Sequence, residues 1–243
     1  MAVLSKKAIK HVLGELPYTA ELYWQIRQEG QPLNKSFSLG RTEKWLPHWR
    51  EEAETASHSH PQGKQVVIFA TLRYWIEHAV LIGYALAGLG HRVTLAYLPY
   101  ANWSKEINRF DLRRQNAYSR KILGSSGPLL KCVSWLDVND SKPLTPSLIE
   151  AIEEISTRDV QYTLQVEDID RDSELYKLRT ARNSAAAEKA FSWLTSIRPD
   201  VLLTPNGSIL EMGAVYQIAQ YLGIPAVTYE FGEQRGKIWL AQN

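Results

Sequence analysis

One cysteine, Cys132, and two methionines stand in the 243 residues, and long apolar runs are missing. A single thiol excludes an internal disulfide framework and fits a reducing compartment. No apolar segment approaches the roughly 18 residues that a membrane span needs. The first sixteen residues carry lysines through their only apolar stretch, unlike a leader. Charge of one sign is absent as well: 28 Lys and Arg against 26 Asp and Glu leave +2, which argues against bulk capture of nucleic acid. The reading is a soluble, cytoplasmic protein, with peripheral membrane contact left open. Three catalytic signatures are also lacking. There is no G-x-G-x-x-G turn, no Walker loop and no G-x-S-x-G elbow. "HSHP" (His58–Pro61) offers two histidines on a polar tract without further ligands, so no metal site is expected.

What is present is ordinary globular composition, 44% hydrophobic and 22% charged, with eight Trp and twelve Tyr. These rings are either core or flat surfaces for sugar or base rings. Residues 1–62 predict a helical extension ending in a polar linker. "KAIKHVLGEL" places Ile9, Val12, Leu13 and Leu16 on one face; "TAELYWQIRQEG" offers Thr19 as a cap and Leu22, Tyr23 and Ile26 as a stripe. Glu51–Lys64 has no apolar periodicity and reads as linker.

From residue 63 to 243 the pattern becomes strand, helix, strand. "QVVIFAT", "RVTLAYL", "LLKCVSWLDV", "DVLLTP" and "IPAVTYE" are short apolar runs separated by helical patterns. Such alternation predicts an open, doubly wound, mostly parallel five-stranded Rossmann-like α/β sheet, in the order 3-2-1-4-5. Ligands of such sheets sit outside the carboxyl ends of the strands, where the order reverses.

Three predicted strand ends face that crevice. After the first, "TLRYWIEH" supplies Arg73, Trp75, Glu77 and His78 around a helix start, where the dipole would keep His78 neutral as a base, with Glu77 orienting it. The alternative makes Glu77 a complement to the dipole and His78 a satisfied polar residue. After the fourth, "TPNGSILEMG" supplies Asn206, Ser208 and Glu211. Ser208 and Glu211 have capping-box spacing, an alternative to a catalytic Glu211, and backbone N–H groups of the turn are candidates to receive a hydroxyl or phosphate oxygen. After the fifth, "YEFGEQRG" supplies Tyr229, Glu230, Glu233 and Arg235, either for sugar hydroxyls or as a solvated linker. "RFDLRRQNAYSRK" gathers Arg109, Arg113, Arg114, Arg120 and Lys121, by default a solvated helix face. The alternative is contact with a phosphorylated or lipid-linked acceptor or an anionic membrane.

Together, "TLRYWIEHAVLIGYALAGLGHRVTLAYLPY", "FDLRRQNAYSR" and "RPDVLLTPNGSILEMGAVYQIAQYLGIPAVTYEFGEQRGKIWLAQN" resemble the amino-terminal half of bacterial GT-B-type glycosyltransferases of capsule and surface-polysaccharide biosynthesis. That resemblance implies an acceptor-binding domain facing a donor-binding one, with transfer of a sugar from a nucleotide-sugar donor to a saccharide or lipid-linked acceptor in the cleft between them. It implies His78 as the base that deprotonates the acceptor hydroxyl, and no metal or other cofactor as a rule. A donor domain is not expected within this chain, so the nucleotide sugar would come through a second domain or subunit and the chain alone would be inactive. "GEQRGKIWLAQN" then reads as the start of a linker between domains. The alternative function is a non-catalytic binding or scaffold subunit that docks on a separate donor-binding subunit, through an apolar patch near Phe231 and Trp239.

Overall fold

A computed structural model describes residues 5–232 and 237–242. Its centre is a sheet of β1 (Gln65–Thr71), β2 (Arg92–Leu98), β3 (Leu130–Ser134), β4 (Val201–Pro205), β5 (Ala226–Phe231) and β6 (Ile238–Gln242), in the order β3-β2-β1-β4-β5-β6. The first five strands pair in parallel, as the alternating pattern predicts. The sixth corrects the expectation of five. Ile238–Gln242 does not leave the domain as a linker but turns back antiparallel along β5, with Tyr229 opposite Leu240 and Phe231 opposite Ile238.

β1 is buried along almost its whole length because helices cover both faces. On one face lie α3 (Gly40–Ser57), α4 (Arg73–Gly88) and α5 (Arg109–Leu123), enclosing Ile68, Leu95, Ile76 and Tyr229. On the other lie α6 (Pro146–Leu164), α7 (Glu174–Ile197) and α8 (Leu210–Tyr221), enclosing Phe69, Trp135, Ala187 and Val215. β1 and β4 are adjacent, so the reversal of order lies between them, where the sequence puts it.

The amino-terminal region departs from a separate extension. Its third helix runs through the segment read as linker, to Ser57, with Ala53 buried and its Cα and carbonyl side close to Gly88 of α4. Phe37, Leu39 and Leu46 belong to the same core as the sheet, and the Leu39 amide donates to the Tyr118 hydroxyl at 2.9 Å. Two further helices, α1 (Lys6–Glu15) and α2 (Thr19–Arg27), lie against α5. Thr19 does not cap α2. Tyr18, in the left-handed region at φ 60°, holds that position, and the Thr19 hydroxyl donates back to Leu13 and Leu16 carbonyls. α5 is a solvated face only in part: Arg109, Arg120 and Lys121 are exposed. Its Asp111, Arg114, Gln115, Asn116 and Ser119 are buried, and Arg113 bonds to Glu21 and to carbonyls of the α1–α2 corner.

Candidate functional site

β1 ends at Thr71 and α4 begins two residues later, so the chain must turn within Leu72. That residue takes φ 61° and ψ 147°, which L side chains rarely adopt. The turn throws the first residues of α4 over the carboxyl ends of β1 and β5. Trp75 stacks on Phe231, with ring centroids 4.8 Å apart and planes at 18°, and meets the edge of Tyr229 at 5.8 Å. Tyr74 packs on the same Phe231 at 4.9 Å. The His78 ring lies 4.2 Å from Phe231, edge-on, and 4.8 Å from Tyr74. The rim where the strand order reverses is therefore an aromatic wall with one imidazole in it. Tyr229 is buried, its hydroxyl has no hydrogen-bond partner among the described residues, and burial raises its pKa far above the ordinary phenol range.

His78 is depressed below the ordinary imidazole value, as the sequence leads one to expect, but by a different route. Burial among the rings is the main cause and the Arg41 charge the second. Glu77 does not orient it. That carboxylate turns to other neighbours, 3.7 Å from Arg73 and 3.4 Å from the Thr42 hydroxyl. Burial raises its pKa against the opposing effects of Arg73, Thr42 and Arg41. Arg73 thus serves Glu77 while keeping part of its guanidinium in solvent.

A folded His78 that resists protonation makes a testable statement about stability. The unfolded chain binds a proton near pH 6.5 and the folded one only at lower pH, so stability is lost as pH falls through about 6.5. His78→Gln removes that titration. Between about pH 7.5 and about pH 5, its melting temperature should fall less than that of the wild type. Parallel melting profiles over that range would contradict it.

Successive strand residues face opposite ways, and β5 accordingly splits the predicted set. Phe231 joins Trp75 and His78; Glu230 instead accepts a bond from the Asn206 side chain. Asn206 (φ 58°) and Gly207 (φ 74°) form the turn after β4. A Cβ on Gly207 would come within 2.4 Å of the Thr228 methyl, so glycine is required there by space as well as by φ. The N–H groups of this turn are not free for a ligand. Asn206 donates to the Tyr229 carbonyl at 3.0 Å, Gly207 to Pro205 at 2.6 Å, and Ser208 to the Asn206 side chain at 3.0 Å. Ser208 keeps an exposed side chain at the surface. Glu233 and Arg235 lie outside the described residues.

Glu211 leaves the rim altogether. Ile209, not Ser208, is the residue before α8, and no capping box forms. Glu211 is buried and accepts from Arg179 Nη1 at 2.9 Å, while Arg179 Nε reaches Asp159 at 2.8 Å; all three side chains are about 1% exposed. Although burial opposes its charge, the two carboxylates hold Arg179 more firmly protonated than usual. Asn183 and the Ser156 hydroxyl complete the network. One turn on, Arg182 lies 4.3 Å over the Tyr100 ring and donates to the carbonyls of Asn102 and Lys105, both at 2.7 Å. Two arginines of α7 therefore hold the loop that leaves β2 at the same end of the sheet. Their signal in the sequence is the placement of Arg179, Arg182 and Asn183 in line with Ala186 and Ala190, charge on a face that is otherwise small and apolar.

No cluster of three His, Cys, Asp or Glu suited to a metal occurs among the described residues. Cys132 lies within β3, where burial pushes its thiol to about 11, so it is a packed, unreactive group. No helix among the described residues is long and apolar enough to cross a membrane.

Comparison with known proteins adds no family to this geometry. No family model, characterised protein or solved structure matches the chain.

Proposed function

We propose that this chain is the acceptor-binding half of a glycosyltransferase, which presents a saccharide or lipid-linked acceptor to a nucleotide sugar held by a separate donor-binding half. The observation that carries the reading is the Trp75–Phe231 stack with the His78 ring against it, at the carboxyl ends of β1 and β5. Flat aromatic faces take the C–H face of a pyranose by apolar contact and dispersion, without demanding a charge from the ligand. An imidazole kept neutral beside such a wall is the group suited to take a hydroxyl proton near pH 7. In this role His78 withdraws the proton as the acceptor oxygen attacks the anomeric carbon, and the nucleoside diphosphate departs with the electrons of the broken bond. Arg73 at the start of α4, and Glu230 and Ser208 around the turn after β4, are in this reading the polar contacts for sugar hydroxyls. Tyr229 supports Trp75 from beneath.

Titration of the protein with short oligosaccharides, followed by tryptophan fluorescence, tests the binding step. A saturable change should appear with at least one saccharide class, and Trp75→Ala should weaken it about tenfold or more, since stacked rings contribute on the order of 1–2 kcal/mol. Equal binding by wild type and variant would remove Trp75 from the site.

A second reading rests on β6. Its Trp239, opposite Glu230, is 70% exposed and Leu240, opposite Tyr229, is 63% exposed, so both faces of this strand present apolar side chains near Phe231, where a docking patch is expected if the chain is a non-catalytic subunit. Loss of association with a donor-binding partner in Trp239→Glu, while saccharide binding and turnover do not depend on Trp75 or His78, would favour that reading.

A further inference from the structure

The helical hairpin α1–α2 is mounted on the domain with a large part of each apolar stripe left outside. The side that faces the protein is mixed: Gly14 and Ala20 are buried, Tyr23 meets the Phe110 ring edge-on at 5.5 Å and Trp24 packs on the core, with ion pairs around them. Lys10 pairs with Asp111 at 2.8 Å, Arg109 pairs with Glu15, Arg113 with Glu21 at 2.5 Å, and Arg114 bonds Gln28 at 2.8 Å. Leu13 and Tyr23 of the stripes read from the sequence turn partly toward the domain, and the other stripe residues point away. Along α1 and its end, Ile9 is 44%, Val12 55% and Leu16 47% exposed; around α2, Tyr18 is 74%, Leu22 53% and Ile26 69% exposed. The two stripes follow one another in the chain and meet at the Leu16–Tyr18 corner. Single exposed apolar residues are normal, but six in two adjacent stripes are not.

Charge indicates what covers them. α1 and α2 together carry four lysines and arginines against two glutamates, and α5 carries five against one aspartate. These three helices thus hold six more cations than anions, whereas the whole chain holds only two more. The positive charge is concentrated behind the stripes and the remainder of the molecule is acidic by four. Moreover, the two carboxylates of the hairpin are already neutralised by α5 arginines, while Lys7 and Arg27 have no ion pair among the described residues. An apolar stripe backed by uncompensated cations is the pattern of a helix that lies in a lipid–water interface, its side chains in the acyl boundary and its cations at anionic headgroups.

We infer that α1–α2 docks the protein on an anionic membrane surface, with Ile9, Val12, Leu16, Tyr18, Leu22 and Ile26 entering the headgroup–acyl boundary. This inference does not depend on the glycosyl-transfer reading, although it would bring the rim close to a lipid-linked acceptor. Its test is sedimentation of the purified chain with vesicles of phosphatidylcholine alone and of phosphatidylcholine mixed with phosphatidylglycerol. Binding to the mixed vesicles should be about tenfold tighter or more, and should weaken as salt rises. Leu22→Glu/Ile26→Glu, at two exposed positions, should lose most of that binding. Lys7→Glu, which leaves the stripe intact, should weaken binding to mixed vesicles only. Wild-type protein remaining in the supernatant with mixed vesicles would overturn the inference. So would sedimentation of Leu22→Glu/Ile26→Glu at wild-type levels, or a wild-type dimer that this variant converts to monomer without any vesicle binding.

Discussion

Arg179→Ala should cost the protein about 3–5 kcal/mol of stability, the largest loss expected from any one side chain outside the apolar core. The reason is asymmetric. With the guanidinium in place, Asp159 and Glu211 are paired at 2.8 and 2.9 Å, and the three charges close a network between α6, α7 and α8. Without it, two carboxylates remain in a site from which water is excluded. They must either stay charged without a partner or take up protons. Urea denaturation of wild type and variant measures the difference. Asp159→Asn and Glu211→Gln added to an Arg179→Met background should recover much of the loss, because a fully neutral site no longer holds uncompensated charge. A loss below about 1 kcal/mol for Arg179→Ala would mean that water reaches the network. The substitution also removes a donor to the Trp103 carbonyl, so the loop after β2 should exchange its amide hydrogens faster.

The second large effect belongs to His78 and follows from the glycosyl-transfer proposal. In enzyme assembled with its donor-binding half, His78→Ala should lower turnover by two to four powers of ten. Acceptor binding should change far less, since Trp75 and Phe231 remain stacked without the imidazole. His78→Gln separates proton transfer from packing: it fills a similar space but accepts no proton near pH 7, so its turnover should be as low as that of alanine. Turnover within threefold of wild type in either variant would exclude His78 as the base. Because burial and Arg41 lower the imidazole pKa, the wild-type rate should hold its plateau to more acidic pH than a free histidine would allow.

Much of the sheet is legible in the sequence because its strands are buried on both faces and announce themselves as unbroken apolar runs. β1 and β2 have the predicted bounds, Gln65–Thr71 and Arg92–Leu98, for that reason. β6 is not legible. "IWLAQ" is exposed along its length and is held by pairing with β5 rather than by burial, so no apolar alternation betrays it. The second half of α3 escapes in the same way. "EEAETAS" buries only Ala53, and its helical state is supported by contact with α4 and by surface pairs such as Arg50–Glu54. A sequence pattern also states that a helix has an apolar face without stating what covers it. The stripes of α1 and α2 exist, yet most of their residues are turned to the outside.

The candidate site shows the same limit more sharply. Spacing brings Arg73, Trp75 and His78 to one helix start, and the structure keeps them there. Spacing also pairs Ser208 with Glu211 as a capping box, a local inference that a partner 32 residues away overrides, since Arg179 claims the carboxylate. Glu77 and His78 are neighbours only in the chain; adjacent residues on a helix point about 100° apart, and these two serve different neighbours. Phe231, central to the aromatic wall, carries no signal beyond its place at the end of β5.

The proposed function requires that the carboxyl-end rim of β1, β4 and β5 receive a sugar ring. Amide chemical-shift mapping of the protein with a saturating oligosaccharide addresses it most directly. Shifts should be concentrated at Arg73–His78, at Asn206–Ser208 and at Glu230–Gly232, and absent from α1, α2 and the far ends of the strands. Shifts confined to any other surface, with those three segments unmoved by a saccharide that demonstrably binds, would contradict it.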